Sequence, residues 1–217
     1  LWTDMVDQTT RGHQFLVKNF GPAANPRGTW QIDPFGHSNT EAWLLGAEAG
    51  FESLFWGRMD WQDRSARYQG SGSHLGFEFI WEGSASLGDS AQLFAGNLFG
   101  NGGGGYSTWV NFNDDGDQVN DDPARHDWNV DMWVDKVVQN AQNQANHTLS
   151  EHQIWACGTD FNYQNAEHWY RNLDKLIHYV NMNGTINMFY STPSIYTDEK
   201  KKWSGSYERR TDDIFPL

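Results

Sequence analysis

The chain alternates between short runs of β-favouring apolar residues and longer segments with helical periodicity. Strands are predicted at residues 28–32, 53–56, 77–81, 91–95, 152–157 and 185–192. Helices are predicted at residues 2–20, 39–50, 129–145 and 166–180. Because strands that alternate with helices favour parallel pairing through helical crossovers, we predict a mainly parallel α/β fold, either layered or a barrel. Residues 60–76 are polar and Gly- and Ser-rich, and no helix or strand is predicted there.

The charge and composition of the chain argue against some classes of binding partner. Twenty-eight acidic and 15 basic side chains give a formal net charge of −13. This charge argues against nucleic acid or an anionic membrane surface as the main partner. No apolar run approaches the ~20 residues that a membrane-spanning helix needs. The 12 Trp residues are compatible with two interpretations, a packed core or a cleft whose indole faces stack on sugars.

The cysteine content and the chain ends set further expectations. A single cysteine, Cys157, allows no disulfide within the chain and no thiolate zinc cage. Its apolar surroundings in "IWACGT" predict a small buried side chain.

The chain starts at Leu1 without a Met and ends at Leu217, so we expect a single domain, 1–217, truncated at both ends. The sequons at Asn146 and Asn183 weakly favour the secretory route.

Charged side chains follow three of the predicted strands. Asp33 follows "GTWQI", Arg58 follows "SLFWG", and Asp160 follows "IWACGT". Because functional groups of parallel α/β folds collect beyond the carboxyl ends of strands, these three side chains are predicted to share one cleft. Most glycoside hydrolases use two carboxyl groups that face each other across a cleft. Structural roles stay open, with Asp160 as a cap for a helix from about Gln164 and Asp33 as a turn residue before Pro34.

Several long motifs resemble glycoside hydrolase family 38, the α-mannosidases, and within it the lysosomal or vacuolar class II branch. They occur in the family's order and cover essentially the whole chain. The motifs are "DQTTRGHQFL", "WQIDPFGHS", "GFESLFWGRMDWQD", "CGTDFNYQNAEHWYRNLDKLIHYVN", "FYSTPSIYTDEK" and "DDIFP".

The resemblance implies a role for each site residue. Asp33 would be the catalytic nucleophile and also a zinc ligand, and Asp160 would be the general acid/base. Arg58 would contact the substrate near the nucleophile, while Phe35 would shape the sugar pocket. Tyr106 is a weaker substrate-binding candidate, because its Gly-rich loop is hard to align. Many family members carry two acidic residues before the Phe of the acid/base motif, whereas this chain has Thr159 first, which leaves Asp160 as the candidate.

The resemblance also implies a zinc ion and a larger fold. The other zinc ligands of the family, two His and one Asp, would lie outside this chain. His37 is expected to pack, or to hydrogen-bond to a metal ligand, rather than to bind the metal. The chain alone is expected to bind zinc poorly and to be inactive. The strands would form part of a seven-stranded (β/α) barrel with irregular, partly β inserts. The rest of the same polypeptide would then complete the site.

The function expected from these residues is zinc-dependent, retaining hydrolysis of terminal α-mannose from N-glycans, in the lysosome or vacuole or after secretion. Two other classes stay open. One is a non-catalytic, aromatic-rich sugar-binding module. The other is a different metal-dependent α/β hydrolase, such as a polysaccharide deacetylase, although no suitable pair of His residues accompanies Asp33.

Overall fold

The computed structural model describes residues 2–70, 76–99, 110–113 and 118–215, with only the backbone of Trp2. Its helices are α1 (Trp2–Phe20), α2 (Asn39–Trp43), α3 (Trp61–Gln69), α4 (Val130–Ala145), α5 (Ala166–Asn183) and α6 (Pro193–Lys201). Its strands are β1 (Gly28–Gln31), β2 (Ser53–Trp56), β3 (Glu78–Glu82), β4 (Gln92–Asn97) and β5 (Arg209–Arg210). A π-helical turn over Leu44–Glu48 extends α2. Throughout these described ranges, no helix is long and apolar enough to cross a membrane.

The strands form one mixed sheet in the order β1-β2-β4-β3-β5. β1, β2 and β4 pair in parallel, while β3 lies antiparallel to β4 and parallel to β5. The predicted α/β class with mainly parallel central strands is therefore confirmed. The seven-stranded barrel stays a prediction, because the described residues form a five-stranded sheet.

Alternating side chains of the central strands pack on opposite faces of the sheet. Leu54 and Trp56 of β2 join an apolar cluster on the face that α2 covers, and Phe55 joins a second cluster that contains Tyr196 of α6. Every residue of β2 is buried. We call these two clusters together the sheet core. Burial on both faces fixes the register of β2, because a slip by one residue would exchange its two sets of side chains.

A third apolar cluster, which we call the helical core, lies between α4 and α5. The apolar positions predicted along these two helices are its main constituents, with the loop residue Phe112 between Trp133 and Trp169. α5 ends as predicted at Gly184, whose φ of 78° places it in the left-handed region that glycine tolerates.

No helix was predicted within residues 60–76, but their first half forms α3. The side chain of Asp60 caps this helix by accepting hydrogen bonds from the backbone N–H groups of Gln62 and Asp63. The guanidinium of Arg67 is buried and bonds to Asp63 at 2.9 Å. Capping and buried ion pairs thus stabilise α3, and neither produces the apolar periodicity from which helices are predicted.

The two predicted strands at 152–157 and 185–192 were also wrong, since neither belongs to the sheet. Residues 152–157 do alternate as a strand would. Ile154 and Ala156 pack on the sheet core, whereas Trp155 and Cys157 pack on the helical core. Burial from both sides therefore produced the strand-like pattern without a backbone ladder. The segment after 185–192 forms α6, where Thr192 caps the first turn.

A buried ion pair joins the sheet to α6. The Lys200 ammonium lies 2.7 Å from the Glu78 carboxylate, with the two side chains 0% and 5% exposed. The Tyr196 hydroxyl donates to the same carboxylate, and Lys200 also donates to the backbone carbonyls of Leu149 and His152. Burial raises the pKa of Glu78, an effect that Lys200 opposes.

We expect Lys200→Met to lower the free energy of unfolding by about 3–5 kcal/mol, because it leaves the buried Glu78 carboxylate without its cation. The matched control is Lys201→Met, which removes a half-exposed ammonium paired with Glu52 and should cost about 1 kcal/mol or less. Urea unfolding of both variants measures the difference. Equal losses in the two variants would contradict this assignment.

Candidate functional site

The parallel pairing of β1 with β2 brings two of the predicted site residues to one edge of the sheet. Gln31, the last residue of β1, is in register with Trp56, the last residue of β2. Asp33 and Arg58 each follow two residues later. Because both strands run in the same direction, the two side chains leave the sheet at the same end, as the sequence predicted.

Asp33 and Arg58 are in direct contact. Nε of Arg58 donates to Oδ1 of Asp33 at 2.5 Å, and the side chains are 34% and 52% exposed. The Arg58 guanidinium also lies over the ring of Phe35, 4.2 Å from its centroid. The three side chains therefore form a cluster in which one cation orients the carboxylate and packs on the aromatic ring.

Asp33 and Asp160 line the same cavity, which has a volume of about 460 Å³. Its wall includes the indole of Trp30 and the phenol ring of Tyr163. The remaining lining residues come from the turn next to Asp160 and from the end of β1: Ile32, Ala156, Cys157, Gly158 and Thr159. The cavity thus places two exposed carboxylates and two aromatic faces around one space.

Asp160 is not a helix cap, which removes its alternative structural role. α5 begins at Ala166 after Asn165, whereas Asp160 lies in the turn that precedes it and is exposed. Arg58, which contacts Asp33, and Phe35, which lies beneath the Arg58 guanidinium, are not among the residues that line the cavity. Tyr106, the weaker candidate, lies outside the described residues.

Two cavity residues were missed by reasoning from the sequence. Trp30 is 40% exposed, although it lies inside a strand, and its position three residues before Asp33 was the available signal. Tyr163 lies three residues after Asp160 in "GTDFNY", and burial raises its pKa to about 12. Cys157 is half-buried on the helical core, close to its predicted role, and it also touches the cavity.

His37 packs as expected. Its ring is 1% exposed and lies 5.7 Å from the ring of Trp56 and 6.3 Å from that of Phe215, centroid to centroid. Across the described part of the chain, no group of three or more His, Cys, Asp or Glu side chains is placed to hold a metal ion. Asp33 alone therefore does not fit a complete metal site.

Comparison with known proteins gives the family of this chain. The family model for the N-terminal domain of glycosyl hydrolases family 38 matches residues 1–217. The chain is 49% identical over 99% of its length to a probable alpha-mannosidase of Arabidopsis thaliana, of which the match covers 20%. It is 43% identical over 99% of its length to an alpha-mannosidase of Canavalia ensiformis, with 21% of that protein covered.

A human relative, named lysosomal alpha-mannosidase, is 37% identical over 98% of this chain and 21% of its own length. The chain spans about a fifth of the length of these relatives. With a match that extends over every residue, the chain belongs to glycosyl hydrolase family 38 and carries its N-terminal domain.

The Arg58 cluster should contribute little to stability because it is exposed. We expect Arg58→Met to lower the free energy of unfolding by less than about 2 kcal/mol, because exposed ion pairs and exposed cation–π contacts each contribute about 1 kcal/mol or less. Arg67→Met is the control, since its guanidinium is 2% exposed and bonds to Asp63 and Glu208, so it should cost at least about 3 kcal/mol. Urea denaturation of both variants measures the two losses in the free energy of unfolding. An equal or larger loss for Arg58→Met would show that the cluster is structural.

Proposed function

We propose that this chain is the catalytic piece of an α-mannosidase that removes terminal α-D-mannose from N-glycans and related oligomannosides. One observation carries the proposal: Asp33 and Asp160 line a single cavity together with Trp30 and Tyr163. Two carboxylates around a sugar-sized space are what glycoside hydrolysis requires. The relatives named above as alpha-mannosidases support mannose as the sugar.

The proposed mechanism is retaining. Asp33 attacks the anomeric carbon and forms a covalent glycosyl–enzyme, while Asp160 donates a proton to the leaving oxygen. Asp160 then accepts a proton from water, which hydrolyses the intermediate. Arg58, at 2.5 Å from Asp33, holds the nucleophile in one orientation. A retaining reaction requires the two carboxyl groups to lie about 5–5.5 Å apart when the sugar is bound.

Trp30 and Tyr163 would bind the apolar faces of the sugar. Aromatic rings pack on C–H surfaces and leave the hydroxyl groups to polar partners. The same two rings are what a non-catalytic sugar-binding module would use. The paired carboxylates favour the enzyme, since stacking alone needs neither of them.

Zinc is the cofactor that we propose for this site. We propose Asp33 as one of its ligands, with the remaining ligands supplied by the rest of the same polypeptide, which would also complete the sheet as a seven-stranded (β/α) barrel. When bound, the ion would coordinate mannose hydroxyls and stabilise developing charge. No step of the mechanism is assigned to it, because the described residues do not form a metal site. The relative named lysosomal favours a lysosomal or vacuolar location.

In the full-length polypeptide, we expect Asp33→Asn and Asp160→Asn each to lower kcat/KM for an α-mannobioside at least about 100-fold. Each change removes a carboxylate and keeps the side-chain shape. Asp131→Asn, an exposed carboxylate in the first turn of α4, is the control and should not alter kcat/KM. Initial-rate assays decide the outcome.

The same variants separate the alternatives. A wild-type protein that binds mannosides without turnover, and whose Asp33→Asn variant binds them equally well, would be a sugar-binding module. Cleavage of an acetylated glycan in place of a nitrophenyl α-mannoside would identify a deacetylase.

Zinc removal gives a further prediction. Dialysis of the full-length polypeptide against a chelator should abolish α-mannoside cleavage, and added Zn²⁺ should restore it. The Asp33→Asn variant should retain substantially less zinc than the wild type by atomic absorption, whereas Asp131→Asn should retain as much. Full activity in the metal-free protein would overturn the zinc proposal and leave the two-carboxylate mechanism standing.

A further inference from the structure

The turn that carries Asp160 has an uncommon backbone. Gly158, Phe161 and Tyr163 have φ angles of 134°, 62° and 62°. Large side chains rarely adopt positive φ, and each such residue costs about 1–3 kcal/mol. A turn of this kind persists only where the surrounding contacts determine its shape.

Side-chain hydrogen bonds close this turn around Asp160. The hydroxyl of Tyr163 donates to the carbonyl of Cys157 at 2.8 Å. Oδ1 of Asn162 accepts from the backbone N–H of Thr159, also at 2.8 Å. Each bond joins a residue before Asp160 to a residue after it, so the two together limit the positions that its backbone can adopt.

The ring of Tyr163 fixes the same turn by contact. A Cβ atom at Gly158 would lie 2.9 Å from Cε2 of Tyr163, so glycine is required where the ring crosses the chain. The ring also stacks on the buried indole of Trp169 at 4.5 Å between centroids. Nδ2 of Asn162 and Nε1 of Trp169 both donate to Oδ1 of Asn113, at 3.1 and 2.9 Å. The turn is therefore anchored to the helical core.

Within the described part of the chain, the segment before the turn pairs with no strand, so its position depends on other contacts. Residues 152–157 lie outside the sheet, and at their start the Lys200 ammonium donates to the carbonyl of His152 at 3.1 Å. At their end, the Tyr163 hydroxyl bonds to Cys157. Since burial raises the pKa of Tyr163 to about 12, the hydroxyl keeps its proton at any ordinary working pH.

We propose that Tyr163 is a positioning residue, which acts through the Cys157 carbonyl to hold Asp160 where it can protonate the leaving oxygen. The inference rests on the proposed function and adds a role to it. Asn162 acts in the same way through the N–H of Thr159. Neither side chain transfers a proton itself.

The test uses the full-length polypeptide with Tyr163→Phe, which removes the hydroxyl and keeps the stacked ring. Two substrates are compared, an α-mannobioside, whose leaving group needs protonation, and 2,4-dinitrophenyl α-mannoside, whose leaving group does not. We expect kcat/KM for the disaccharide to fall about 10-fold, the equivalent of one hydrogen bond, and kcat/KM for the activated substrate to change less than about twofold.

Two further variants make the result specific. Asn162→Ala should show the same dependence on the leaving group. Tyr179→Phe removes a hydroxyl of α5 that bonds to Asp121 at 3.3 Å and should leave both substrates unaffected. A general loss of structure would lower both rates in Tyr163→Phe, and that outcome, or no change in either rate, would overturn the positioning role.

Asp160→Asn distinguishes this failure from failure of the proposed function. If it loses disaccharide cleavage while Tyr163→Phe does not, the positioning role is wrong and the acid assignment stands. If Asp160→Asn cleaves both substrates as the wild type does, or the wild type cleaves neither, the proposed function fails and the positioning role fails with it.

Discussion

The in-register parallel pairing of β1 with β2 is the constraint on which the site depends. Both strands end at the same edge, and two residues further on the chain presents Asp33 from one and Arg58 from the other. Every residue of β2 is buried, and β2 lies between β1 and β4. The buried strand β2 therefore fixes the position from which the Arg58 guanidinium contacts the Asp33 carboxylate.

Asp160 lines the same cavity, but different contacts position it there. Its segment lies between the sheet core and the helical core, and alternate side chains of residues 152–157 insert into each. The segment lies outside the sheet of the described residues, and side-chain donors from α6 and from the turn itself hold its two ends. The sheet thus positions Asp33 at the cavity, whereas both apolar cores position the segment that leads to Asp160.

Several local elements could be predicted because their signals were local. The apolar periodicity of α4 and α5 and the short runs that form β1 to β4 match the structure to within a few residues. Two of the exceptions have separate physical causes. α3 is stabilised by the Asp60 cap and by the ion pairs of Arg67, which leave no apolar stripe, and residues 152–157 carry a strand-like pattern because two cores bury them.

The sequence alone determined the family motifs and the order of the central elements. It also determined that Asp33, Arg58 and Asp160 each follow an apolar run. Each of these features is a property of neighbouring residues. Only the tertiary structure decided that β3 runs antiparallel, that Arg58 contacts Asp33, and that the ring of Tyr163 crosses the chain at Gly158. These depend on the pairing and packing of distant segments. Such contacts are set by shape and burial across the whole fold, which local patterns do not encode.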